Sequence, residues 1–517
     1  MTVTSLARRW GARTSGYPVA VAVTAAAVAA LTLIPLGYVA WFAVGEGWHA
    51  AYQQLVRPRV GELLWNTARL AVAAMTASAV LGTAAAWLTE RTDLPGRRVW
   101  HVLLAVPLAV PAFVNSFGWV SLSPAVEGYG GAVLVVTLSY YPLVYLPAAA
   151  TLRGLDPALE DTARALGLSP TRVFLRVVVP QLRPAILGGT LLVGLHLLAE
   201  FGALQMLRFP TFTTAIYDQY QATFNGPTAT MLGSVLVVAC LLLLVAELRL
   251  RGRVRHARLG PGSARRATPV RLGRRAPVAL TAVAGIVVLA LGVPLASLAY
   301  WLVTGTSTRF PVADLTAATV TTLGLGVAGA AVTVTLALPV AWLTARRPGR
   351  TSTAIERASY FGSALPGIIV ALALITVCIR HVPALYQTTA MLLAAYAILF
   401  MPRAVVSLRA ALAHAPPHLD DAARALGSGP LTVAVRVTLP LIAPGIGAGA
   451  ALVFLAITTE LTSTLLLAPI GTATLATQFW ANSDAVAYGG AAPYAALMVI
   501  LSAPMAYLLT QTTGRIR

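Results

Sequence analysis

The sequence predicts an all-α, polytopic membrane protein of about twelve transmembrane helices, built as two parallel, pseudo-symmetric halves. Three observations carry this expectation: long apolar runs, arginines gathered between alternate runs, and short strings that return half a chain later.

The 517 residues are 58% hydrophobic and 10% charged, against roughly 25% charged in ordinary globular domains. A run of ~20 apolar residues crosses a bilayer as a helix, because lipid offers the backbone no hydrogen-bond partner outside its own helix or a closed barrel. A barrel would show apolar and polar residues alternating over about ten positions, and that pattern is absent. The runs lie at 18–44, 64–88, 101–123, 131–152, 185–206, 229–248, 277–303, 317–344, 358–379, 386–408, 441–467 and 491–511. The first is too long for a signal-peptide core and reads as a spanning helix. The third is interrupted by Pro107, Pro111, Asn115 and Ser116, breaks that need a neighbouring helix or a wet cavity to satisfy the freed backbone.

A formal charge of +20 might point to nucleic acid, but there is no lysine, and the 37 basic residues are all arginine. They cluster between runs at Arg91–Arg98, Arg153–Arg183, 249–275 and Arg346–Arg357, with scattered cases on the other side at Arg57, Arg59, Arg208, Arg309 and Arg380. This is the positive-inside pattern of a chain whose partner is the bilayer, with both termini cytoplasmic and no nucleic acid bound. Cys240 and Cys378 sit within apolar runs and read as packing residues.

Ala86-Trp87-Leu88-Thr89 with Pro95-Gly96-Arg97 returns as Ala341-Trp342-Leu343-Thr344 with Pro348-Gly349-Arg350. Leu159-Glu160-Asp161-Thr162-Ala163-Arg164-Ala165-Leu166-Gly167 returns as Leu419-Asp420-Asp421-Ala422-Ala423-Arg424-Ala425-Leu426-Gly427. Both copies keep the repeated loop on the cytoplasmic side, so the repeat is parallel. The expected organisation is a six-helix half at 1–250, a basic cytoplasmic linker at 251–275 and a second six-helix half at 276–517.

In the first copy of the loop, Asp156 caps a helix that begins at Pro157 and that Gly167 ends. A second short helix starts at Pro170 and is expected to stop at Pro180. The second copy has Gly427, Pro430 and Pro440 in those roles, so each half presents a rigid two-helix knob.

Both loops resemble the cytoplasmic signature of binding-protein-dependent ABC importer permeases: Glu-Ala-Ala, three residues, Gly, nine residues, Ile, one residue, Leu-Pro. The matching positions are Asp161-Thr162-Ala163, Gly167, Val177 and Val179-Pro180, then Asp421-Ala422-Ala423, Gly427, Val437 and Leu439-Pro440. The departures are Asp for Glu, Thr162 for Ala, Val for Ile and Val179 for Leu. The resemblance implies the type I importer permease fold, twice, in a bacterial inner membrane. It also implies that two ATPase subunits dock on coupling helices at 170–179 and 430–439. Docking then falls to Asp161, Ala163, Gly167, Pro170, Phe174, Val177 and Pro180, and to Asp421, Ala423, Gly427, Pro430, Val437 and Pro440. An extracytoplasmic binding protein would deliver the solute to outer loops at 45–62, 208–227, 304–316 and 468–490. A phosphate-binding loop needs a lysine, so ATP and magnesium belong on the partner ATPase, and this chain is a transporter subunit with no cofactor and no enzymatic activity of its own.

Fused two-by-six permeases resemble ferric-iron importers and, next, thiamine importers. The local likeness to the iron group lies in Glu200-Phe201-Gly202-Ala203 with Thr211-Phe212-Thr213-Thr214, and in Glu460-Leu461 with Thr474-Leu475-Ala476-Thr477. Glu200 and Glu460 are matched carboxylates inside membrane runs, and His196 stands one helical turn before Glu200. Such acids face a partner, a cavity or a path. The three residues either line the translocation path of a hard cation or hold neighbouring helices together, and no metal-ligand cluster is evident. A major-facilitator transporter is the different-class alternative, echoed faintly by Asp93 with Gly96-Arg97-Arg98.

Overall fold

The computed structural model describes residues 17–45, 52, 56–221, 226–250, 269–305 and 310–514. Residues 251–268 of the expected linker, with parts of the loops at 45–62, 208–227 and 304–316, lie outside the described residues. Among the described residues the regular elements are helices, with an isolated bridge between Thr92 and Val270.

Nine of the described helices are long and apolar enough to span a bilayer. Two further pairs satisfy the same test only together: Arg97–Ala109 with Ala112–Val120, bent by 94°, and Arg350–Gly362 with Gly367–His381, bent by 97°. A shorter apolar helix, Tyr488–Ala503, falls on the last expected run. The bends sit where Val110 precedes Pro111 and Leu365 precedes Pro366, and both preceding residues are extended (ψ 124° and 139°). Proline pushes the residue before it out of the helical region, so the chain turns there.

Other prolines do not break their helices. Pro180 and Pro440, expected to stop the second short helix of each knob, instead lie one residue inside the helices Val179–Ala199 and Leu439–Thr458. A π-helical turn precedes each, Phe174–Val178 and Ala434–Thr438. In both, the residue just ahead of the proline donates its N–H five residues back, Val179 to Phe174 and Leu439 to Ala434. The wider turn moves away the carbonyl that the proline ring would otherwise strike, so the helix continues. A third π-turn, Val288–Gly292, stands the same way before Pro294.

Contacts divide the chain into two compact units that cut across the sequence halves. The first holds the chain up to Tyr38 with Leu323–Leu365 and Ala373–Ile457. In it the opening helix packs on Arg350–Ala364, where Thr32 Oγ1 lies 3.3 Å from the Ala358 carbonyl. The second unit holds Val39–Thr322, Pro366–Leu372 and the chain from Thr458 on. There the helix Val293–Thr304 packs on Ala112–Val120 through a 2.9 Å Ser121–Ser297 hydroxyl contact. A Cβ on Gly118 would stand 2.5 Å from Pro294 Cα, so glycine is what admits this crossing. Each first helix thus packs against the half of the sequence to which it does not belong. The core of the second unit is aromatic: Phe479 packs against Phe113 and Phe117, and Phe201 against Trp480, at centroid distances of 5.2–5.5 Å.

Candidate functional site

The two repeated loops share the same helix–turn–helix backbone, with the same hydrogen bonds at the turn. Asp156 Oδ1 accepts from Ala158 N at 3.0 Å and caps the first short helix, Ala158–Ala165. Gly167, at φ +81°, ends it, with Gly167 N bonded to Arg164 O and Leu168 N to Ala163 O. In the second copy Gly427 has φ +86°, and Gly427 N and Ser428 N reach Arg424 O and Ala423 O. A left-handed residue lets the chain reverse there, and glycine adopts it without a Cβ clash. Pro170 and Pro430 open the next helices, Pro170–Val173 and Pro430–Val433.

Glu160 and Asp420, the residues just before the signature acids, anchor the knobs. Arg91 Nη1 meets Glu160 Oε1 at 3.1 Å with both side chains about 95% buried, tying the first knob to the end of the Pro58–Arg91 helix. Arg346, at the end of Val312–Arg346, approaches Asp420 at 3.6 Å and donates to the Ala415 carbonyl at 3.0 Å. Asp420 also accepts from Thr438 Oγ1 at 2.9 Å, inside the π-turn. The Arg91 contact lies off the hydrogen-bonding axis, so it is held mainly by charge. The signature acids themselves are exposed: Asp161 pairs with Arg164 and Asp421 with Arg424, each at 3.1 Å.

Ala163 is buried, Ala423, Val177 and Val437 are half-buried, and Pro180, Pro430 and Pro440 are exposed. Phe174 turns inward, edge-on to Trp87 with ring centroids 4.5 Å apart. Among the large apolar side chains that the knobs present, Leu166 and Leu175 in the first and Leu426, Leu431 and Val435 in the second are more than half exposed.

Glu200 and Glu460 stand not within helices but at breaks. The Val179–Ala199 helix ends before Glu200, which is extended, and Gly202–Met206 follows. Leu439–Thr458 likewise ends before Glu460, ahead of Thr462–Leu467. Glu200 Oε1 accepts from Ala203 N at 2.9 Å, and Glu460 Oε1 accepts from Ser463 N and Ser463 Oγ, both at 2.9 Å. The backbone carbonyls at the breaks accept threonine hydroxyls, Glu200 O from Thr213 at 2.7 Å and Glu460 O from Thr464 at 2.9 Å. Tyr140 donates to Glu200 Oε2, and its ring lies 5.4 Å from that of His196. His196 and Glu200 therefore meet through Tyr140, rather than by sharing a continuous helix face. The two breaks adjoin: a Cβ on Gly202 would lie 2.9 Å from Leu461 Cδ2.

The threonine strings have a structural purpose. Thr211 N donates to Thr214 Oγ1, and Thr474 and Thr477 bond reciprocally, so each string boxes the start of the helix it opens, Phe212–Gln221 and Leu475–Asp484. The first N–H of each helix is taken by a hydroxyl from a distant helix, Phe212 N by Thr67 at 3.4 Å and Leu475 N by Thr322 at 2.9 Å. Asp93 has a local duty too, its carboxylate accepting from Leu272 N at 2.8 Å.

The family model described as binding-protein-dependent transport system inner membrane component matches residues 78–256 and again 334–517. The chain is 36% identical, over 480 residues, to the Fe(3+)-transport system permease protein FbpB 2 of Haemophilus influenzae, an alignment covering 92% of this chain and 95% of that protein. It is 26% identical over 259 residues to the sulfate transport system permease protein CysT of Escherichia coli, covering 46% of this chain and 93% of CysT. With CysW of the same organism the identity is 24% over 251 residues, 44% of this chain and 86% of CysW.

Proposed function

Since the chain belongs to the family of binding-protein-dependent transport system inner membrane components, as the fused permease of an ABC importer, we propose that its cargo is ferric iron. The observation that carries the cargo is the near full-length similarity to a permease named for Fe(3+) transport, against half-length and weaker similarity to sulfate permeases. The family works with a separate ATPase and a solute-binding protein, and the chain is a multi-pass inner membrane subunit without catalytic activity.

In the finer reading, each knob seats one ATPase subunit, so one chain serves two, and ATP with magnesium binds there. Leu166, Leu175, Leu426, Leu431 and Val435 supply apolar contact, and Asp161 and Asp421 supply charge at the rim. Both termini lie on the ATPase side, as the arginine distribution supports. Movement of the knobs reaches the spanning helices through Glu160 and Asp420, and the permease alternates access to its path. Glu200 and Glu460 staple the adjoining helix breaks rather than ligate cargo, because N–H and O–H donors already engage their carboxylates. The solute-binding protein then selects the metal, and the path only passes it.

The test is reconstitution of the chain with its ATPase and binding protein in liposomes. Accumulation of radiolabelled ferric iron that depends on ATP is expected. Uptake of thiamine or sulfate in its place would overturn the cargo while leaving the importer intact. Uptake driven by a proton gradient without ATP would overturn both.

A further inference from the structure

Arg69 is a charged residue in an apolar span that its own repeat does without. Aligning Ala86-Trp87-Leu88-Thr89 with Ala341-Trp342-Leu343-Thr344 sets Arg69 opposite Gly324, so the fold does not require a cation there. Placing arginine in a spanning helix carries a free-energy penalty that is greatest at mid-bilayer and smaller near the headgroups. Among the described residues Arg69 has no carboxylate partner, and its shielded Nε has no hydrogen-bond acceptor. The guanidinium is instead held by ring faces, 4.6 Å from the Tyr129 centroid and 5.3 Å from that of Phe209. Its orientation is thereby fixed while its charge and hydrogen bonds remain unanswered.

The level of Arg69 in the bilayer follows from Tyr129. That residue opens the Tyr129–Gly154 span, at the end away from the knob that follows Gly154. Trp65, one turn from Arg69 on the same helix, is 66% exposed. Tryptophan and tyrosine mark the interface where headgroups lie. From Arg69 an open groove of 890 Å³ runs toward the bilayer interior along Val72, Thr76, Val80 and Leu81. Its lining is nearly all apolar.

A cation at headgroup level above an apolar groove matches a molecule with an anionic head and a hydrocarbon tail. We propose that this groove binds one membrane phospholipid in the leaflet opposite the knobs, its phosphodiester on the Arg69 guanidinium and an acyl chain along Val72, Thr76 and Val80. The phosphate oxygens supply the acceptors that Arg69 lacks, and the tail covers the apolar wall. The site is independent of the cargo.

Native mass spectrometry of the full chain, purified in mild detergent and washed, tests this. One retained phospholipid per wild-type chain is expected, none in Arg69→Gln, and none in Val72→Trp, which fills the groove while keeping the cation. Val72 is 66% exposed, so the second variant does not strain the core. A thermal-shift series separates the sources of binding. Dioleoylphosphatidylglycerol should stabilise the wild type and not Arg69→Gln, whereas dioleoylglycerol and inorganic phosphate should each do little. Equal retention by wild type and Arg69→Gln, no retained phospholipid in the wild type, or full stabilisation by phosphate alone would each overturn the proposal.

Discussion

Glu160→Gln is the most informative substitution in the knobs. The change keeps shape and removes the charge facing Arg91, leaving a guanidinium that is about 96% buried beside a neutral amide. Removing one partner of a buried pair costs about 3–5 kcal/mol, because the remaining charge stays desolvated. The amide oxygen retains some attraction, so the lower end, about 3 kcal/mol, is expected, and each 1.4 kcal/mol is tenfold in an equilibrium. The second contact of Glu160, to Arg164 at 3.2 Å, changes this little, since Arg164 is 41% exposed and exposed pairs contribute at most about 1 kcal/mol. Asp420→Asn should cost less, about 1–2 kcal/mol. There the pair is longer at 3.6 Å, and Arg346 keeps the Ala415 carbonyl. Thermal unfolding of the purified chain in detergent, followed by tryptophan fluorescence, ranks the two. The double variant Arg91→Met with Glu160→Met should recover most of the loss, because a buried pair replaced whole by apolar groups is nearly neutral. Were Glu160→Gln no more harmful than Asp420→Asn, or the double variant worse than the single, the pair would not be what anchors the knob.

Gly167→Val and Gly427→Val force a β-branched residue to φ +81° and +86°, at about 1–3 kcal/mol. Co-purification of the ATPase should fall for both, and Asn at either position should restore most of it. Gly202→Ala places a methyl 2.9 Å from Leu461 Cδ2 and 3.0 Å from Phe113 Cβ. ATP-driven uptake should fall while ATPase co-purification is kept, and Leu461→Ala in the same chain should recover part of the uptake. Thr322→Val removes the hydroxyl that takes the Leu475 N–H at 2.9 Å, so a loss of about 1–2 kcal/mol in thermal unfolding is expected. Thr67→Val should lose less, its contact being 3.4 Å.

Spans and knobs were legible because their signals are local: apolar length, glycine at a left-handed position, proline at the start of a helix. The repeat also contained the buried pairs, since Arg91 aligns with Arg346 and Glu160 with Asp420. The signature motif runs through the exposed acids one position later, Asp161 and Asp421, and so does not single out the buried pairs. Pro180 and Pro440 misled, because whether a proline stops a helix or is absorbed by a π-turn depends on packing around the turn. Tyr140 carried no signal at all: it reaches Glu200 from 60 positions away, and the aligned position in the second copy is Phe400, while Glu460 uses Ser463 instead. The threonine strings that suggested iron turn out to box helix starts, so they inform on architecture more than on cargo.

The crossed packing of the opening helices bears on how such a chain can be made. A ribosome that has finished residues 1–250 has released no complete unit, since residues 17–38 still await partners some 300 positions downstream. The opening helix must dwell in the lipid until the second half arrives, and the Val293–Thr304 helix must then find a half already inserted. Splitting the gene in the linker would therefore give two products that need each other from birth. Joining them in one polypeptide keeps each within reach of its counterpart.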